Sequence, residues 1–432
     1  MPEINSEHQN ADILRKNHQY KDAIAAYQKL WDETEDKWDG WGLALCLNKE
    51  KQFEKSLPIC KKVYEQNKGF DYIKGIYAWA AYYIYIKNYS MDDEYANLDK
   101  YGKGILQLTD NKPDNLFRQQ TVLAIMEYCS NNNEWIPLLN WADKIDKQHL
   151  SKEAFATTTD AGKNITIKSK LESWYTKKSK ALEKCMEWQK CLEVCDEALK
   201  EFPDEIWFHY RKAKATWHLG NPESALTLFK SILNRKKEWF IYKDIASIHA
   251  ELNDNSKAKK NIIEGCIVSQ RIPNREYRWE LYYDAAIYFH KTSNNEMAIR
   301  YLQLALALRI ENDWKVPDKV TQFANELNVD MDQKIKSDIL FNELKESWKE
   351  EKYSDLEKQR GEIKSILPNG KAGFIRSNTT PKDYFFRLSS YSGNKAEVVP
   401  KLNVEFYIIE SFDKKKNQQS EEAVEIHSIY SH

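Results

Sequence analysis

The chain has few of the residues that interrupt regular structure. Glycine (13) and proline (11) are scarce among 432 residues, which argues for helix and against a turn-rich all-β chain. Cysteine is also sparse: there are seven, an odd number with no C-x-x-C pair, so no disulfide framework is expected. The thiols read as reduced and buried, as in a cytoplasmic protein. No run of about 18 apolar residues occurs, so no membrane span is expected. The polar opening M-P-E-I-N-S-E-H-Q-N predicts no secretory leader. The formal charge is −1, so any nucleic-acid contact must come from a local patch rather than the whole field.

Catalytic signatures are missing too. There is no G-x-x-x-x-G-K-[ST] phosphate loop, no H-E-x-x-H and no Ser-His-Asp pattern, and the nine histidines are scattered. Cys185, Cys191 and Cys195 cluster, but no histidine follows at finger spacing. Asp92-Asp93 and Glu421-Glu422 are adjacent pairs that read as a helix start and a loop. No metal, cofactor or enzymatic activity is expected.

What is present is aromatic and periodic. Aromatics make up 13% of the chain, including 14 Trp and 25 Tyr, enough to build an ordered core. Cys191, Cys195 and Ala198 return as Ala225, Phe229 and Ile232, each 34 residues later. Tyr20, Ala23, Tyr27 and Leu30 return as Phe53, Ser56, Cys60 and Val63, each 33 residues later. Ala258 and Ala298 continue the series, the last gap stretching to 40 residues around Ile272-Pro273-Asn274. A fixed period of this length marks stacked helix pairs. The small-x3-aromatic-x2-small second helix, with Leu219-Gly220 and Pro203 punctuating the units, resembles the tetratricopeptide repeat. About seven helix pairs are expected. Residues 71–87 are apolar nearly all round, as in a buried helix, and 148–165 break the period as a turn or distorted repeat, before a long helix at 166–186. Residues 333–359 are charged and helix-favouring, with an apolar stripe of Ile339, Leu340, Leu344 and Trp348.

After Arg360-Gly361 the period changes to that of strands. E-I-K-S-I-L, A-G-F-I-R, Y-F-F-R-L, N-V-E-F-Y-I-I-E and A-V-E-I-H-S-I are five short runs separated by turn signals. Gly361-Glu362-Ile363-Lys364, Gly373-Phe374-Ile375, Asp383-Tyr384-Phe385-Phe386, Val404-Glu405-Phe406 and Ala423-Val424 stand in the order of a cold-shock domain, which this region resembles. The resemblance implies a five-stranded OB-type barrel that stacks the bases of single-stranded RNA or DNA on aromatic rings. It also implies a binding set of Lys364, Lys371, Phe374, Arg376, Phe385 and Arg387. The sequence departs from the family at Ser365, Ile366 and Ala372, where aromatics are usual, and at Arg387, where histidine is. Residues 361–432 carry ten Lys/Arg against nine Asp/Glu, a net of +1. Phe374 and Phe385 either stack on bases, close the barrel or form a protein-docking face. The run Lys414-Lys415-Lys416 is a solvated loop or a phosphate contact.

The expected fold is therefore mainly α. A tetratricopeptide-like α-solenoid spans 1–316, a helical cap or connector 317–360, and a cold-shock-like barrel 361–432. Tyr210, Lys214, Trp217, Tyr242 and Tyr282, on first helices, either pack in the core or line a groove for a peptide or helix of a protein partner. The expected function is a non-catalytic adaptor, holding a protein by the solenoid and single-stranded RNA or DNA by the barrel. The alternative is a protein–protein regulatory subunit whose barrel no longer binds nucleic acid. The lysine-, asparagine- and isoleucine-rich composition suggests a bacterial stress or antiviral setting.

Overall fold

The structure is a computed structural model. It describes residues 2–90, 94–159, 162–270, 274–331, 335–354, 356–413 and 418–429. Asp92-Asp93, Ile272-Pro273 and Lys414–Lys416 lie outside the described residues. The chain forms two compact units, 1–232 and 233–432.

Eight helix pairs follow one another: α1 (Pro2–Lys16) with α2 (Tyr20–Thr34), α3 (Lys37–Lys49) with α4 (Phe53–Gln66), α5 (Asp71–Tyr85) with α6 (Tyr95–Leu108), and α7 (Leu116–Asn131) with α8 (Trp135–Ala142). Then come α9 (Lys170–Lys184) with α10 (Trp188–Glu201), α11 (Ile206–His218) with α12 (Pro222–Arg235), α13 (Trp239–Glu251) with α14 (Asn255–Ser269), and α15 (Trp279–Lys291) with α16 (Asn295–Ile310). Helices α17 (Asp318–Glu326) and α18 (Ser337–Tyr353) follow. No helix among the described residues is long and apolar enough to cross a membrane.

The repeat positions are where the helices meet. Ala23, Ser56, Cys191, Ala225, Ala258 and Ala298, one per second helix, all have no exposed surface. Small side chains there let the first helix approach, and the hydroxyl of Ser56 donates to the carbonyl of Ala44 in α3 at 3.1 Å. The thiols of Cys191 and Cys195 are buried by the same packing.

The turn inside each pair has its own rule. Among the described residues, seven of the turns within pairs have one residue in a left-handed conformation: His18, Lys51, Asn133, Met186, Gly220, Asn253 or Ser293. The next amide then donates back across the helix end, for example Gln52 to Leu47 (2.8 Å), Glu187 to Leu182 (2.9 Å) and Asn294 to Phe289 (2.8 Å). This six-to-one bond satisfies a carbonyl that the helix end would otherwise leave bare. Only Gly220 enters that conformation without a Cβ penalty, which is about 1–2 kcal/mol for other residues.

Residues 148–169 differ from expectation. They hold a hairpin of β1 (Phe155–Thr158) and β2 (Asn164–Ile167), paired antiparallel with Phe155 opposite Ile167. Helix α9 starts at Lys170, because the Ser169 hydroxyl caps it by accepting from the Glu172 amide at 3.1 Å.

In the second unit α18 is built into the helical core. Trp348 is fully buried, and its indole N–H donates to the Tyr301 hydroxyl of α16 at 2.7 Å. Ile339 is 52% exposed, and Phe341 takes its place on the buried stripe with Leu340 and Leu344.

The five expected strands form a closed barrel: β3 (Gln359–Ile366), β4 (Ala372–Ser377), β5 (Asp383–Arg387), β6 (Asn403–Asp413) and β7 (Gln418–Ser428). The strand order is β3-β4-β5-β7-β6, closing back on β3, with β5 and β7 parallel and the other neighbours antiparallel. This is an OB-like arrangement. Alternation sends Ile363, Ile375, Tyr384, Phe386, Val404, Phe406 and Ile426 inward. Glu421-Glu422, expected in a loop, belong to β7. Tyr353, at the end of α18, stacks on Tyr407 of β6 with ring centroids 5.1 Å apart.

Candidate nucleic-acid interface

The outer face of the second and third barrel strands follows from the alternation. Ile375 and Phe386 point inward, so Phe374 and Phe385 point out. The two are register partners on β4 and β5, half-buried, with ring centroids 5.9 Å apart and edge to face. Gly361 and Gly373 sit beneath this face because the strands leave no room. A Cβ on Gly373 would lie 2.3 Å from the Ser365 carbonyl, and one on Gly361 would lie 2.2 Å from the Arg376 carbonyl.

The cations gather at the same face but arrive paired. The register of β3 against β4 shifts between Ile363 and Ser365, which leaves Lys364 on a bulge. Bulges re-aim side chains, and this lysine reaches the carboxylate of Asp383. Arg376, opposite Asp383 across β4 and β5, binds the same carboxylate at 3.3 Å. The hydrogen bond from Lys364, helped by Arg376, holds the Asp383 carboxyl below its usual range. Arg387 lies 3.6 Å from Glu422, whose second oxygen accepts from Ser411 at 3.1 Å. Lys371 is exposed at the start of β4 and has no ion-pair partner among the described residues. Its amide is fixed by the Asn369 side chain at 3.0 Å. The six barrel residues expected to act together are thus spread along the β4–β5 face: Lys364 and Arg376 at its Asp383 end, Phe374 and Phe385 midway, and Lys371 and Arg387 at its Ala372 end. Sequence reading missed Asp383 and Glu422 as their counter-charges, since only cross-strand register brings them there. At the departure positions, Ala372 is buried and Ile366 packs on the barrel core, so neither adds a ring to the face.

A family model described as "Domain of unknown function (DUF7017)" matches residues 206–347. No curated protein matches the sequence. Among solved structures, a tetratricopeptide repeat protein from Parabacteroides merdae ATCC 43184 is similar at 9% identity and TM-score 0.30, covering 65% of this chain and 98% of that one. The human IFIT1 dimer with m7Gppp-AAAA is similar at 13% identity and TM-score 0.39, over 80% of this chain and 81% of that one. YrrB, a TPR protein with an unusual peptide-binding site, is similar at 13% identity and TM-score 0.31, over 52% of this chain and 97% of that one. The repeat assignment stands on the chain's own turns and packing positions.

The five residues expected in a solenoid groove divide between the two units. In the first unit Tyr210 is 7% exposed and packs on Phe229 at 5.9 Å. The Lys214 ammonium binds Glu183 of α9 at 2.8 Å, and Arg211 binds the same carboxylate at 3.2 Å. Burial opposes ionisation of Glu183, but Lys214 and Arg211 outweigh it and hold the carboxyl below its usual range. Trp217 is half-buried and stacks on His218 at 4.6 Å, and His218 also stacks on Trp188 at 4.1 Å. In the second unit Tyr242 is 8% exposed, and Tyr282 has no exposure, its hydroxyl 3.3 Å from that of Ser269. Tyr282 is therefore a core residue and not a groove contact, because its helix is covered by α14 and α16. A cleft of about 480 Å³ does open between α13 and α15, and its polar pair is Lys243 and Asp284, 3.3 Å apart. Sequence reading did not single these two out. Burial holds the Asp284 carboxyl above its usual range despite the lysine.

Proposed function

We propose that this protein is a non-catalytic adaptor whose barrel is of cold-shock type and binds single-stranded RNA or DNA, while the repeat helices hold a protein partner. The observation that carries the first half is the outward pair Phe374 and Phe385 on the second and third strands of an OB-like barrel. Half-buried rings on that face are the platform on which unpaired bases stack, each stack being worth about 1–3 kcal/mol. With two rings and one unpaired cation, affinity is modest. For the partner-holding half, the polar-lined cleft between the first helices α13 and α15, which holds the ion pair of Lys243 and Asp284, is the place we propose for a peptide or helix. A bacterial cytoplasm, in a stress or antiviral setting, is the context we propose, and the functions of genomic neighbours test it.

The test uses the full chain with labelled single-stranded oligonucleotides over a range of salt. Binding at low salt that Phe374→Ala and Phe385→Ala each weaken about tenfold or more supports the reading. No binding at low salt, or binding indifferent to both substitutions, refutes it. The pairing of Lys364, Arg376 and Arg387 with Asp383 and Glu422 favours a second reading, in which the barrel docks a protein chain instead. Nuclease-resistant co-purification of a partner, lost in Phe374→Ala/Phe385→Ala, would select it.

A further inference from the structure

The first unit contains a cleft of about 660 Å³ bounded by α4, α5 and α6. That size is usual for small-molecule sites. Leu57, Ala81, Ile105 and Leu108 supply apolar lining. Four tyrosines also line it, and all are half-buried: Tyr64, Tyr77, Tyr85 and Tyr101. Tyr85 and Tyr101 are parallel with ring centroids 3.9 Å apart, and Tyr64 meets Tyr77 edge to face at 6.0 Å. None of the four hydroxyls has a hydrogen-bond partner among the described residues. Burial raises the Tyr77 and Tyr85 phenols above their usual range, so they remain protonated donors.

The remaining lining is cationic. Lys61, Lys68 and Lys100 are exposed, against one carboxylate, Glu65. Lys61 reaches Glu65 loosely, at 3.9 Å. Lys68 has no ion-pair partner among the described residues, and Lys100 lies over the Tyr101 ring at 5.6 Å. Tyrosine hydroxyls usually find a partner when buried, and these four have none among the described residues. Here ring surface, free hydroxyls and surplus ammonium groups share one cavity, with Tyr85 and Tyr101 each giving one face to the other. Aromatic faces accept a planar heterocycle, phenols meet its polar edge, and lysines neutralise a phosphate.

We propose that this cleft binds a nucleoside 5′-phosphate, with the base on the tyrosines and the phosphate at the lysines. The site is separate from the barrel and does not rest on the barrel's proposed role. Gly104 provides the decisive variant. It lines the cleft from α6, and a Cβ there would meet nothing within 4 Å. Leucine at an open helical position favours the helix over glycine, so Gly104→Leu fills the cleft while preserving the fold.

The experiment is calorimetric titration of the full chain with AMP. Saturable binding is expected, with adenosine about tenfold weaker for want of the phosphate contacts. Gly104→Leu and Lys68→Gln/Lys100→Gln should each weaken AMP by about tenfold or more, and Phe374→Ala/Phe385→Ala should leave it unchanged. Competition by short oligonucleotides separates the two sources of this chemistry. If a 5′-phosphorylated strand displaces AMP and its 5′-hydroxyl twin does not, the ligand is a strand end; if neither does, it is the free nucleotide. No saturable binding of AMP or GMP at millimolar concentration overturns the proposal. So does binding that Gly104→Leu leaves intact, that the barrel variants abolish, or that the 5′-hydroxyl strand competes equally.

Discussion

Asp383→Asn should strengthen oligonucleotide binding. Asp383 binds both Lys364 and Arg376 on the face that carries Phe374 and Phe385. In the free protein those two cations are spent on one carboxylate, and Lys371 is the cation of the proposed set without such a partner. Each phosphate neutralised on a single strand contributes a slope of about −0.7 to log K against log salt. One free lysine therefore predicts a slope of about −0.7, and release of two more cations predicts about −2. The gain over wild type should grow about sevenfold for each fourfold fall in salt, because the slopes differ by about 1.4. Fluorescence anisotropy of a labelled single-stranded oligonucleotide, repeated at several salt concentrations, reads both quantities. Arg387→Gln serves as the contrast: its guanidinium is tied to Glu422 rather than to Asp383, so its loss should leave the gain from Asp383→Asn in place. If Asp383→Asn folds normally and changes neither affinity nor slope, these cations do not face a bound strand.

Four further outcomes are expected. Glu183 carries a folded-state pKa below its ordinary 4.5, so its contribution is present above that value and is lost as pH falls through it; the stability gap between wild type and Glu183→Gln, read by urea unfolding, should narrow below pH 4.5. Trp348→Ala should destabilise the second unit by about 3–5 kcal/mol in thermal or urea unfolding. Trp348→Phe should cost about 1–3 kcal/mol, because most of the ring volume stays but the fully buried Tyr301 hydroxyl loses its donor. Gly373→Ala should cost about 3 kcal/mol or more, because the new methyl meets a backbone carbonyl that cannot step aside, and loss of the barrel's circular-dichroism signal would report it.

Much of this architecture is legible in the residues, and the reasons differ by element. Second helices bury one stripe, so Ala225-Phe229-Ile232 repeats as a pattern that sequence displays. First helices are flanked by neighbours on both sides, which is why Tyr282 looks amphipathic in sequence and is wholly enclosed in the fold. The barrel strands announce themselves by alternation, whereas the hairpin at Phe155–Ile167 does not: its two strands are almost wholly exposed and carry no alternating buried face. The repeat turns are hidden for another reason. Glycine marks one of them, while Met186 and Ser293 enter the same conformation unannounced, held by the amide that follows. The two phenylalanines of the candidate interface could be named in advance, but their electrostatic surroundings could not, because Asp383 and Glu422 acquire their partners only through register across strands.

The barrel fastens itself along its shortest seam. Strands β5 and β7 share two register pairs, Phe385 with Glu422 and Phe386 with Ala423, with a single further bridge from Tyr391 to Ile426. A short parallel seam is where a closed sheet breathes first, and one of the two outward rings stands on it. A ligand gripping Phe385 and Phe374 would span β4 and β5, to one side of that join, and by binding only the folded barrel would slow amide exchange along β5 as its occupancy rises. Recognition at this face and the integrity of the fold beneath it are thereby one thermodynamic quantity.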